Sequence, residues 1–170
     1  MTPDALRRRI RALLVLFVVC LVLSGLTAFP LNLEMRLLSS LLGISGDLPP
    51  ETYSGLKFWI ATAAEGLRNT DAQYPFIAYG TDWLAFAHLV IAFAFIGPIR
   101  DPVRNIWVVT FGMVACAGVI PLALIAGAYR EIPLYWRLLD CCFGVIGFVP
   151  LWLARRNIVR LREMAPHHGV

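Results

Sequence analysis

The sequence predicts an all-α membrane protein: four transmembrane helices in a compact bundle, with one or two amphipathic helices in a long first outer connection. Three observations carry that expectation. Hydrophobic residues fill 59% of the 170 positions and charged residues only 15%, against roughly 45–50% and 25% in soluble domains. Four apolar stretches reach the length of about 20 residues that a helix needs to cross a hydrocarbon core. Clusters of arginine flank those stretches. At this length the chain is expected to form a single membrane domain.

The first span is expected over about 12–33, which carries no formal charge and follows Arg7, Arg8, Arg9 and Arg11. It also resembles a secretory leader, with a basic and then an apolar region. Leu26, however, falls at position −3 of a cleavage site after Ala28, where a small residue is wanted, so a retained span is expected. The second span is expected over 81–99, with Thr81 and Asp82 as helix-start residues. The third covers 106–129, with Pro121 a candidate kink. The fourth covers 132–154 and contains Arg137 and Asp140.

Between spans one and two lies segment 34–80, too long for a structureless loop. Leu33 to Leu42 is Leu-rich, and Gly43 to Pro50 breaks the chain. From Glu51 to Arg68 the apolar residues Tyr53, Leu56, Ile60, Ala63 and Leu67 recur at helical spacing. Such a helix either lies in the membrane interface or caps the bundle. Asn69 to Gly80 reads as a loop, and Arg100 to Asn105 as a tight turn between spans two and three.

Orientation follows from the basic residues. Segments 1–11, 100–105 and the tail from Arg155 hold ten arginines, whereas 34–82 and 130–131 hold only Arg36, Lys57, Arg68 and Arg130. Both termini are therefore expected in the cytoplasm, of a plasma membrane or a bacterial inner membrane. The basic residues flank apolar runs, so membrane lipids, and not nucleic acid, are the expected partners, with other membrane subunits as further candidates.

Titratable groups within a span are costly and mark candidate sites. Spans two and four run in the same direction, which puts His88 roughly 10 Å deep and Asp140 roughly 12 Å deep at 1.5 Å per residue. Arg137 and Asp140 stand three apart and can pair on one helix face. One reading is an outward polar pocket between spans two and four, binding a lipid-like or small ligand through Asp82, His88, Arg137 and Asp140. A second makes the chain an accessory subunit of a larger membrane complex. A third makes His88 and Asp140 the acid/base pair of a membrane enzyme. Against these stands a structural role, in which Arg137 and Asp140 neutralise each other and His88 bonds a carbonyl.

No Walker loop, G-x-S-x-G, H-E-x-x-H or dinucleotide fingerprint occurs. Cys20, Cys116, Cys141 and Cys142 fall in apolar runs with no C-x-x-C spacing, and His167 with His168 belongs to a polar tail. No metal site is expected, and no pattern assigns a cofactor. The layout of four spans with a long first outer connection is similar to that of the sterol-isomerase and sigma-2-receptor group. The intramembrane carboxylates of that group have no clear counterparts in this chain. The vitamin K epoxide reductase family shares the four-helix core but uses the C-x-x-C that is absent here.

Overall fold

The computed structural model describes residues 2–164; His167 and His168 lie outside them. Every regular element among the described residues is helical: α1 (Pro3–Ala28), α2 (Leu31–Leu41), α3 (Gly55–Gln73), α4 (Tyr79–Ala94), α5 (Ile96–Arg100), α6 (Ile106–Tyr129) and α7 (Leu134–Met164), with short 3₁₀ turns at Pro50–Thr52 and Pro75–Ala78. Four helical stretches are long and apolar enough to cross a membrane: Pro3–Ala28, Pro75–Arg100, Ile106–Tyr129 and Leu134–Met164. On α6 the large side chains Trp107, Phe111, Val114, Leu122 and Ile125 are all exposed. Each would cost about 1.5–3 kcal/mol left in water. Hydrocarbon removes that cost, so the chain reads as an integral membrane protein.

The expected boundaries hold best for α6 and shift elsewhere. The apolar run of span one continues to Leu33, but the helix stops at Ala28 and restarts at Leu31. Pro30 is the cause: its ring disfavours helical geometry in the residue before it and supplies no N–H. Span two begins earlier than expected, because Pro75 opens a 3₁₀ turn that runs directly into α4. Span four continues past Ala154 to Met164, since no Pro or Gly interrupts the Arg-rich stretch. At about 1.5 Å per residue, a 31-residue helix exceeds the hydrocarbon thickness by several turns.

The chain divides into two compact units, Met1–Leu21 with Ile91–Val170, and Val22–Val90. In the first, Leu6, Ile10, Leu14 and Phe17 form one stripe of α1, and Leu151, Ala154, Ile158 and Leu161 one stripe of α7. The spacings of three and four residues put each set on one helical face. Phe95, Val108 and Val109 join them in a single buried cluster. Residues near the two ends of the described chain thus share one core. Thr2 caps α1, its Oγ1 accepting the Ala5 N–H at 3.3 Å, and Pro3 follows as the first helical residue. The expected turn at 101–105 is present. Asp101 Oδ1 accepts the Arg104 N–H at 3.1 Å, and Asn105 donates to the carbonyls of Asp101 and Gly97.

Helices α6 and α7 pack with almost no space between them. A Cβ on Gly144 would stand 2.6 Å from the Cys116 carbonyl oxygen, and one on Gly147 2.8 Å from Cys116 Sγ. Small residues allow such approach, and in lipid that contact replaces the hydrophobic effect as the source of helix association. The α6–α7 turn carries Glu131 at φ 58°. The Ile132 N–H reaches the Gly127 carbonyl at 2.9 Å and the Glu131 N–H that of Ala128 at 3.1 Å, a Schellman closure.

In the second unit α2 and α3 pack together. Gly43, at φ 66°, closes α2 by the same motif, with the Ile44 N–H on the Ser39 carbonyl at 2.8 Å. The buried face of α3 carries Ile60, Ala61 and Ala64. The expected stripe included Leu56, which is exposed. The face is turned toward the alanines, whose short side chains let a neighbouring helix come close. The expected loop 69–80 is mostly helical too, with α3 running to Gln73.

Candidate functional site

Asp82 sits half-buried in the first turn of α4. Thr81 does not cap that helix; its hydroxyl donates to the Ala78 carbonyl at 2.6 Å. His88 is half-buried, with Nδ1 2.7 Å from the Leu84 carbonyl oxygen one turn back. That distance requires a proton on Nδ1, since a carbonyl only accepts. Gly25 lies against the base of His88: a Cβ there would be 2.8 Å from His88 Cβ and 3.1 Å from the Ala85 carbonyl oxygen. The histidine thus sits at a close helix contact and satisfies its donor on its own helix.

Arg137 is placed differently from its expected pairing. Its Nη1 donates to the Leu124 carbonyl at 3.2 Å, and its Cγ and Cδ lie over Gly127. The guanidinium therefore rests near the C-terminal end of α6, where the aligned peptide dipoles favour a cation. Its Nε is buried without a partner. Asp140, half-buried, makes no ion pair with it among the described residues. The side chains three apart on α7 diverge because the long arginine reaches across to α6 instead.

Sequence reasoning missed a polar cleft in the second unit. A cavity of about 350 Å³ opens between α2 and α3, lined by Asn32, Arg36, Ser39, Ser45, Glu65 and Arg68 among others. Arg36 Nε donates to the Asn32 carbonyl at 3.3 Å, which leaves four of the five guanidinium N–H groups without a protein acceptor among the described residues. Arg68 has no hydrogen-bond or ion-pair partner there, and its Nη1 lies 3.1 Å from where a Gly46 Cβ would stand. The Ser39 hydroxyl is buried and unpartnered. Asn32 Nδ2 donates to Asp71 Oδ2 at 3.0 Å, tying α2 to α3. On the far side, Tyr53 holds the loop by accepting the Ser45 N–H at 2.8 Å. The spacing of Asn32, Arg36 and Ser39 was a legible polar face within a Leu-rich segment.

A second cavity, of about 310 Å³, adjoins this cleft and shares Asn32 and Arg36 with it. Its other walls include Phe29, Leu31, Leu67 and Ile77. Comparison with family models, curated proteins and solved structures returns no match to this chain.

Proposed function

We propose that this chain is a ligand-binding protein of a plasma or bacterial inner membrane, a four-helix bundle with both termini cytoplasmic and its first connection outside. The ligand seat is the α2–α3 cleft. The supporting observation is that the cleft gathers Arg36 and Arg68 with most of their guanidinium N–H groups unused. Unused donors in a cavity are what an oxygen-rich ligand needs. The shared core of Leu6, Ile10, Ile158 and Leu161 supports placing both ends on one side, and the arginine bias makes that side cytoplasmic. Leu33, Leu37 and Leu41, exposed at successive turns of α2, support an amphipathic helix lying in the outer interface.

This reading moves the ligand away from His88, Arg137 and Asp140. His88 Nδ1 and the Arg137 guanidinium are engaged by backbone carbonyls, which favours structural roles for both over an acid/base pair. The test is native mass spectrometry of the protein in mild detergent. Wild type carries a bound small molecule, and Ser39→Phe, which fills the cleft, loses it. An empty wild type, or equal retention by Ser39→Phe, overturns the reading. Orientation is checked by reporters: a C-terminal fluorescent fusion matures only in the cytoplasm, and a phosphatase inserted after Gly46 is active only outside.

A subunit role draws on the same exposed α2 leucines, Leu41 being 84% exposed. Co-purification of a stoichiometric second protein, lost on Leu41→Asp but kept in Ser39→Phe, would favour it.

A further inference from the structure

The two adjoining cavities differ in chemistry, and that difference says what kind of ligand fits. Resting on the ligand-binding reading above, we propose that the second unit binds an amphiphile with a single phosphodiester headgroup, a phospholipid. The headgroup lies in the α2–α3 cleft and part of one acyl chain runs into the second cavity.

The polar cleft presents two guanidinium groups, Arg36 and Arg68, and one carboxylate, Glu65. None of them is ion-paired within the protein among the described residues. Guanidinium forks match phosphate oxygens with parallel N–H donors. Two forks less one carboxylate leave one net positive charge, which matches one phosphodiester and not a multiply charged anion. The Ser45 hydroxyl adds a donor at the same wall. The second cavity is walled mostly by apolar residues, among them Phe29, Leu31, Leu67 and Ile77, with Thr70 and Thr81 beside them; its one carboxylate, Asp71, accepts from Asn32. Those side chains give part of an acyl chain an apolar wall to lie against. Arg36 and Asn32 border both cavities, so one molecule can span the partition. A soluble anion would leave the apolar cavity empty, and a purely apolar molecule would leave the guanidinium groups unmatched.

The experiment titrates delipidated full-length protein in mild detergent with four probes: phosphatidylglycerol, phosphatidylethanolamine, diacylglycerol and inorganic phosphate. Bound mass is read by native mass spectrometry and protection by thermal unfolding. Both phospholipids bind one to one, and diacylglycerol binds tenfold or more weakly. Millimolar inorganic phosphate gives no protection. Arg68→Gln lowers phospholipid affinity to near the diacylglycerol level and leaves diacylglycerol binding unchanged. Arg68 has no protein partner, so the variant keeps its fold; Arg36→Gln behaves alike, and Arg36→Lys restores part of the affinity. Equal binding of diacylglycerol and phospholipid overturns the headgroup assignment while leaving a ligand-binding protein. Full protection by inorganic phosphate overturns the amphiphile. Phospholipid binding unchanged in Arg68→Gln overturns the site. Binding of none of the probes overturns this inference alone if the protein as purified still carries a Ser39-dependent ligand, and otherwise overturns both.

Discussion

Gly144→Ala adds one methyl group at the tightest point between α6 and α7. The new carbon would lie 2.6 Å from the Cys116 carbonyl oxygen, where ordinary contact begins at 3.4 Å, so the helices must part by about 0.8 Å or shift along each other. The obstacle is backbone, which no rotamer change can move. Gly147 meets Cys116 one turn on, so the same separation loosens that contact as well. Overpacking of this kind costs about 1–3 kcal/mol, and dispersion contacts along the pair are lost as the gap opens. Gly118→Ala, also on α6, is the matched control. Nothing lies within 4 Å of its Cβ position, so the helix propensity of alanine is gained, up to about 1 kcal/mol. The assay is thermal unfolding of both variants in the same mild detergent, followed by tryptophan fluorescence. Opposite signs are expected. Equal shifts, or a stabilised Gly144→Ala, would refute the claim that α6 and α7 associate through glycine-mediated contact.

Other consequences can be checked in the same assay. Glu131→Gly relieves a left-handed backbone at the α6–α7 turn and raises stability by about 0.5–1 kcal/mol; a loss would show that the glutamate side chain holds the turn. Asn157 is 6% exposed, and its amide nitrogen has no partner. Asn157→Leu therefore stabilises by about 1 kcal/mol, and marked destabilisation would reveal a needed polar contact at that position. Arg137→Ala loses a charge-assisted bond to Leu124 and costs about 1.5–3 kcal/mol, whereas Asp140→Ala costs under about 0.5 kcal/mol. If Asp140→Ala proves the more damaging, the arginine is held by the carboxylate after all.

The membrane class and the four spans were legible because solvent transfer acts residue by residue: a run of about 20 apolar side chains needs no partner to declare itself. The turn at 101–105 and the break at Gly43 were legible for a similar reason, since Asp-Pro and glycine constrain their own backbone. The sequence also marked Arg137 and Asp140 as unusual. It did not say where each side chain reaches, because pairing at i,i+3 competes with any acceptor on a neighbouring helix. Only tertiary structure set the carbonyl of Leu124 within reach, and Gly127 made the room. The α2–α3 cleft was hidden for the same cause. Asn32 and Arg68 are ordinary surface residues until Gly43 turns the chain and Ala61 with Ala64 lets the two helices close. Helix identity is a local property of the chain, whereas a cavity belongs to no single segment and exists only once two faces meet.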